Sequence, residues 1–259
     1  MREEVLLKNV PEGYFSWSPT EDYLIYMLTD EGEKVSAPLK RLLHPDDRIP
    51  NSRDRYYLMK YDVATGLSER LTYGSHNVYL NDISPDGKKL LCSTSKPDIT
   101  RCPFSLSSLF EIDLTTLQAD TLVAWDAYLG SASYSPDGKQ LLVTGSPSAF
   151  GGIGKNCGEH PIANDFDTQA FIMDLATKKV QAITRDFNPT VSPVQWNRVD
   201  GCIYFDTTDG DCRHIYRYVP KTGGFEMLPL EEDVITSFTL RMTIRLWLPM
   251  WAEETPARA

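Results

Sequence analysis

No stretch of this sequence approaches the ~18 consecutive apolar residues that a membrane-spanning helix needs, so there is no membrane span to assign. Basic residues are in deficit, with 26 Lys and Arg against 36 Asp and Glu over 259 residues and a formal charge of −10. An acidic field of that size repels nucleic acid and anionic lipid, and neither is an expected partner. Cysteine is scarce and odd in number. Cys92, Cys102, Cys157, Cys202 and Cys212 form no C-x-x-C, and no histidine stands at zinc-finger spacing from them. No secretory leader is expected, because only Val5 to Leu7 is apolar after Met1-Arg2-Glu3-Glu4. Helical 3.6-residue periodicity is absent before residue 240, which argues against bundles and doubly wound folds.

What the sequence does contain is a repeat. One turn recurs as Trp17-Ser18-Pro19-Thr20-Glu21-Asp22, Ile83-Ser84-Pro85-Asp86-Gly87, Tyr134-Ser135-Pro136-Asp137-Gly138 and a degenerate Trp196-Asn197-Arg198-Val199-Asp200-Gly201. Each copy precedes an apolar strand. Proline presets φ for such a turn, aspartate bonds back to the backbone and glycine supplies the positive φ. A second motif also recurs, in Leu58 to Val63, Leu109 to Leu114, Ala170 to Leu175 and Ile215 to Pro220. After a turn such as Ala64-Thr65-Gly66 it closes with a short strand such as Glu69 to Thr72. The unit is four antiparallel strands, and radial repetition of that unit is an all-β fold, the β-propeller. Extra length falls between the second and third strands, at 30 to 55 in the first unit and 146 to 168 in the third, and any helix is expected there or in the tail.

The run Ser52-Arg53-Asp54-Arg55-Tyr56-Tyr57-Leu58, continued by Tyr61-Asp62-Val63-Ala64-Thr65-Gly66 and Arg70-Leu71-Thr72-Tyr73-Gly74 and joined to the Ser-Pro-Asp-Gly turns, resembles the N-terminal propeller of the prolyl oligopeptidase family of serine peptidases. The bacterial dipeptidyl peptidase IV-like branch is the most similar. The resemblance runs over residues 5 to 240. It implies seven or eight blades that gate peptide access and dock a separate α/β-hydrolase domain, and exported, periplasmic relatives. The sequence contains no G-x-S-x-G elbow, so catalytic residues do not carry over.

The expectation is therefore a partial propeller over 1 to 240, of about four blades plus the opening strand of another from Val234 to Leu240, truncated before the hydrolase domain and inactive alone. Its partners would be peptide substrate, the hydrolase domain and other copies of itself through open edges. The alternatives are a stand-alone protein-binding propeller like that of the Tol system, and the propeller of an amidohydrolase fusion. Residues 241 to 259 lack the repeat, reading either as an out-of-frame tail or as a segment capping an open edge.

Candidate recognition groups lie in the first insertion: Lys40, Arg41, His44, Asp46, Asp47, Arg48, Arg53, Asp54 and Arg55. They would steer peptide termini or pair across a domain interface, unless they pair among themselves. Gly151-Gly152-Ile153-Gly154-Lys155-Asn156 fits neither phosphate-loop template, since Ala149, Asn156 and Cys157 stand where those templates need other residues. Cys157, Glu159, His160, Asp165 and Asp167 mix soft and hard donors that suit no single metal. No metal or cofactor is expected. Asp206 to Asp211 lacks calcium-loop spacing and reads as a hairpin turn. Cys202 and Cys212 flank that hairpin, either bonded across facing strands or as two buried thiols. His76 and His214 flank strands, with no triad-like context. Trp17 and Trp196 occupy equivalent positions, suited to packing between blades.

Overall fold

The computed structural model describes residues 10, 13–32, 39, 41–42, 45–157, 167–235 and 237–240. His44, Lys40, Glu159, His160, Asp165 and the tail 241–259 lie outside the described residues. The chain divides into two compact units, Met1–Trp125 and Asp126–Ala259.

In the first unit, β1 (Phe15–Trp17), β2 (Tyr23–Asp30), β3 (Arg55–Asp62) and β4 (Ser68–Arg70) form one antiparallel meander, blade 1. Blade 2 follows with β5 (Val78–Ile83), β6 (Lys89–Pro97), β7 (Ser105–Asp113) and β8 (Ala119–Asp126). The second unit holds blade 3, made of β9 (Leu129–Tyr134), β10 (Gln140–Gly145), β11 (Gln169–Asp174) and β12 (Val180–Ala182). Its blade 4 is made of β13 (Thr190–Trp196), β14 (Ile203–Asp209), β15 (Cys212–Val219) and β16 (Gly224–Met227). Strand order equals chain order in every sheet, the blade pattern of a β-propeller. The fold is all-β, and the helical turns, Pro45–Arg48 and Ala149–Gly152, sit in the two insertions as expected.

Turn chemistry sets the blade boundaries. In the second repeat Ser84 Oγ donates to Asp86 Oδ1 at 2.7 Å and accepts from Lys89 N at 2.8 Å, while Gly87 holds φ 69°. Ser135, Asp137 and Gly138 repeat the arrangement. In the first repeat Glu21 occupies the glycine position at φ 59°, and Asp22 bonds Ser18 in place of the usual aspartate. The β3–β4, β7–β8 and β11–β12 turns share a second device, in which Asp62, Asp113 and Asp174 accept backbone amides from the residues that follow.

Alternation along each strand gives every blade two faces. Tyr23, Ile25 and Leu58 of blade 1 pack on Val78, Ile83, Leu90 and Cys92 of blade 2. Tyr23 also donates its hydroxyl to the Gly87 carbonyl at 2.8 Å, tying one blade to the next blade's turn. In the second unit Leu142, Ala170 and Ile172 of blade 3 meet Ile203 and Phe205 of blade 4.

Two expectations change, and one pair of alternatives is decided. No strand forms among the described residues of 234–240: Val234 makes one parallel bridge to Arg213, and Ile235 and Phe238 lie over Cys202, Tyr204 and Ile215 on the second face of blade 4. An apolar segment next to an apolar sheet face gains more by covering it than by extending into water. Of the two readings of Cys202 and Cys212, the free thiols hold, with Cys202 buried and Cys212 half-buried. The β14–β15 register pairs Cys212 with Asp209 and Ile203 with Tyr218, which puts the two cysteines at opposite ends of the hairpin, ~20 Å apart at ~3.3 Å per residue. Trp17 and Trp196 part company as well. Trp196 packs into the core between blades 3 and 4, whereas Trp17, on the face of blade 1 that looks away from blade 2, is 40% exposed.

Candidate functional site

The first insertion closes on itself. Asp47, whose side chain is 3% exposed, accepts from Arg53 Nε and Nη2, both at 2.8 Å, a bidentate charge-assisted pair. Asp54 Oδ1 accepts from Gly32 N at 2.9 Å, and the Asp54 carbonyl accepts from Arg55 Nη1 at 2.9 Å. Gly32 is required at that crossing, since a Cβ there would lie 2.6 Å from Arg53 Cβ. Arg53, Asp54 and Arg55 therefore hold the base of the loop together. Arg41 and Arg48 are exposed, and His44 lies outside the described residues.

The second insertion builds a cleft. Connections alternate between the two ends of an antiparallel blade, so the β10–β11 insertion and the β12–β13 connection emerge at the same end of blade 3. Between them lies a space of about 450 Å³. Its buried floor is Gln169, the first residue of β11, beside Gly154. One wall carries Lys155, Asn156 and Cys157, and the other carries Arg185, Asp186 and Asn188. Asn156 Nδ2 donates to Asp186 Oδ1 at 3.0 Å and staples the walls together. Asp167 Oδ1 accepts from Thr168 N at 2.9 Å and from Thr190 Oγ1. Phe187 anchors the β12–β13 wall, stacking on Phe225 at 4.4 Å and meeting Tyr216 edge-on at 5.0 Å.

This arrangement can hold a small polar molecule, because it offers cations, carboxylates and an amide in a space of ligand size. Among the described residues no serine and no histidine lines it. His76 lies against the Trp125 ring with centroids 6.1 Å apart, and the His214 carbonyl accepts from Thr207 Oγ1 at 2.9 Å. Burial pushes the Cys92 thiol well above its ordinary range, which suppresses thiolate chemistry there. Among the described residues no three His, Cys, Asp or Glu side chains stand close enough to hold a metal ion.

The sequence reading set Gly154, Lys155, Asn156, Cys157 and Asp167 aside as a polar insertion loop, and the structure brings all five to the cleft. It missed Gln169, Arg185, Asp186 and Asn188. The available signal was topological: the residues that leave β12 emerge at the end of the blade where the insertion stands.

No family model and no curated protein matches the chain. Solved structures do. TolB of Acinetobacter baumannii superposes with a TM-score of 0.51 at 20% identity, over 85% of this chain and 44% of its own length. The oligogalacturonate lyase of Vibrio parahaemolyticus gives 0.55 at 16% identity, over 83% of this chain and 52% of its own. A dipeptidyl aminopeptidase IV-like protein of Bacteroides ovatus gives 0.57 at 15% identity, over 82% of this chain and 32% of its own. The chain thus spans about half or less of the length of these three proteins. At such identities the likeness shows the fold alone, a β-propeller like those of TolB and of peptidase propeller domains.

Proposed function

We propose that this chain is the non-catalytic propeller portion of a prolyl oligopeptidase-like or dipeptidyl peptidase IV-like serine exopeptidase, gating peptide access and docking a hydrolase domain. The observation that carries the reading is the blade 3 cleft, whose polar groups can bind and which, among the described residues, holds no serine–histidine pair. Recognition without chemistry is what a gating domain contributes, since the acylating serine and its oxyanion hole belong to the hydrolase. Insertions between second and third strands suit this role, because they project binding groups beyond the strand ends while the sheets stay rigid.

The coding sequence that adjoins this chain tests the reading. A G-x-S-x-G elbow followed by aspartate and histidine in the same frame is expected. Coding sequence that carries no elbow on either side of the chain would overturn it, leaving a stand-alone binding propeller.

A further inference from the structure

Gln169 is 8% exposed, lines the cleft, and holds its Oε1 without a hydrogen-bond partner among the described residues. A buried amide oxygen left unpaired costs free energy, so a donor that reaches it gains more than the same bond would in water. Gly154 makes room for this oxygen: a Cβ at 154 would lie 2.4 Å from Gln169 Oε1 and 3.1 Å from the Phe171 ring. The charges of the cleft are balanced in number and unequal in engagement. Asp167 and Asp186 already accept hydrogen bonds from Thr190 and Asn156. Lys155 and Arg185 make no ion pair among the described residues.

We propose that the blade 3 cleft binds a zwitterion, a free α-amino acid or a dipeptide, with the carboxylate on Lys155 and Arg185 and the amino-terminal N–H on Gln169 Oε1. A simple anion would satisfy the two cations and leave the Gln169 amide oxygen without a donor. A ligand carrying both signs meets the two cations and the amide oxygen, and the cleft volume of about 450 Å³ accommodates it. Arg185 suits the carboxylate end because its planar fork meets two oxygens at once. The inference stands apart from the exopeptidase reading, since a binding propeller of any kind could use such a site.

Titration calorimetry on the full chain tests it, with leucine, Leu-Leu, leucinamide, N-acetylleucine and inorganic phosphate as probes. Leucine or Leu-Leu should bind, which also tells free amino acid from dipeptide. Blocking either end should weaken binding about tenfold or more, the cost of one charge-assisted contact. Arg185→Gln, at an exposed position, should abolish the preference for leucine over leucinamide. Gln169→Leu should abolish the preference for leucine over N-acetylleucine, and Gly154→Ala, which drives a methyl into Gln169 Oε1, should reproduce that loss if the leucine variant does not fold. Equal affinity for the blocked forms, phosphate binding as tight as leucine, or no binding of leucine and Leu-Leu up to about 10 mM would overturn the proposal. A chain that binds Leu-Leu but whose gene lacks the elbow would keep this inference and discard the exopeptidase reading; the converse result would do the opposite.

Discussion

Arg213 of β15 pairs with Asp206 of β14 across the β14–β15 hairpin, and the carboxylate it meets is only 2% exposed, with Oδ1 lacking a hydrogen-bond partner among the described residues. Burial raises the Asp206 pKa above its ordinary value, and Arg213 opposes the rise without cancelling it. The pair is therefore a place where electrostatics holds the blade under tension. Its guanidinium keeps a desolvated charge tolerable.

Arg213→Met should consequently destabilise the fold by about 3–5 kcal/mol at pH 7, because it strands that charge. The penalty should shrink on acidification. A carboxyl whose folded pKa is raised favours the folded state most below its unfolded value, and that advantage is lost as pH rises through the folded pKa. Urea melts of both proteins at pH 7 and pH 4 measure this, and a penalty independent of pH would contradict it.

The turn aspartates behave oppositely. Hydrogen bonds from Thr20 and Ser18 lower Asp22, the Ser84 hydroxyl lowers Asp86, and the Ser135 hydroxyl lowers Asp137. Depressed carboxylates contribute stability above their unfolded value of 3.8, and the contribution disappears as pH falls through the folded values. The chain should therefore lose stability steeply below about pH 4. The double variant Asp86→Asn, Asp137→Asn should show a shallower acid limb in circular dichroism.

Glu21 stands at φ 59° where the two Ser-Pro-Asp-Gly turns have Gly87 and Gly138 at 69° and 68°. Left-handed backbone costs a residue with a Cβ about 1 kcal/mol, so Glu21→Gly should stabilise the protein despite the entropy that glycine adds to the unfolded chain. A lower melting temperature for the glycine variant would show that the turn draws on the Glu21 side chain instead.

Phe205 is 0% exposed in the core between blades 3 and 4. Phe205→Ala should cost about 3–5 kcal/mol, from lost burial and a cavity that the surrounding strands cannot close. Equilibrium denaturation gives the number directly, and a cost under about 1 kcal/mol would mean the two blades are not packed as described.

Much of the fold was legible because its signals are local. Ser84, Asp86 and Gly87 make their turn with one another, so four residues suffice to place it, and the same holds for Asp62 and Thr65. Repetition of those turns determined the number of strands per blade, their boundaries, and the position of both insertions. The candidate cleft was half legible for the same reason. Gly154 to Cys157 stand out as an unusual run, whereas Arg185 and Gln169 are ordinary residues in their own segments.

Tertiary structure alone decided what meets what. Trp17 and Trp196 sit at the same place in the repeat, but only Trp196 has a neighbouring blade on its side of the sheet. Cys202 and Cys212 flank one hairpin, yet the register sends them to its two ends. Ile235 and Phe238 have the composition of a strand and instead cover Tyr204 and Ile215. Each outcome depends on which apolar face is left open once the sheets have formed, a quantity summed over residues far apart in the chain and written in no single segment of it.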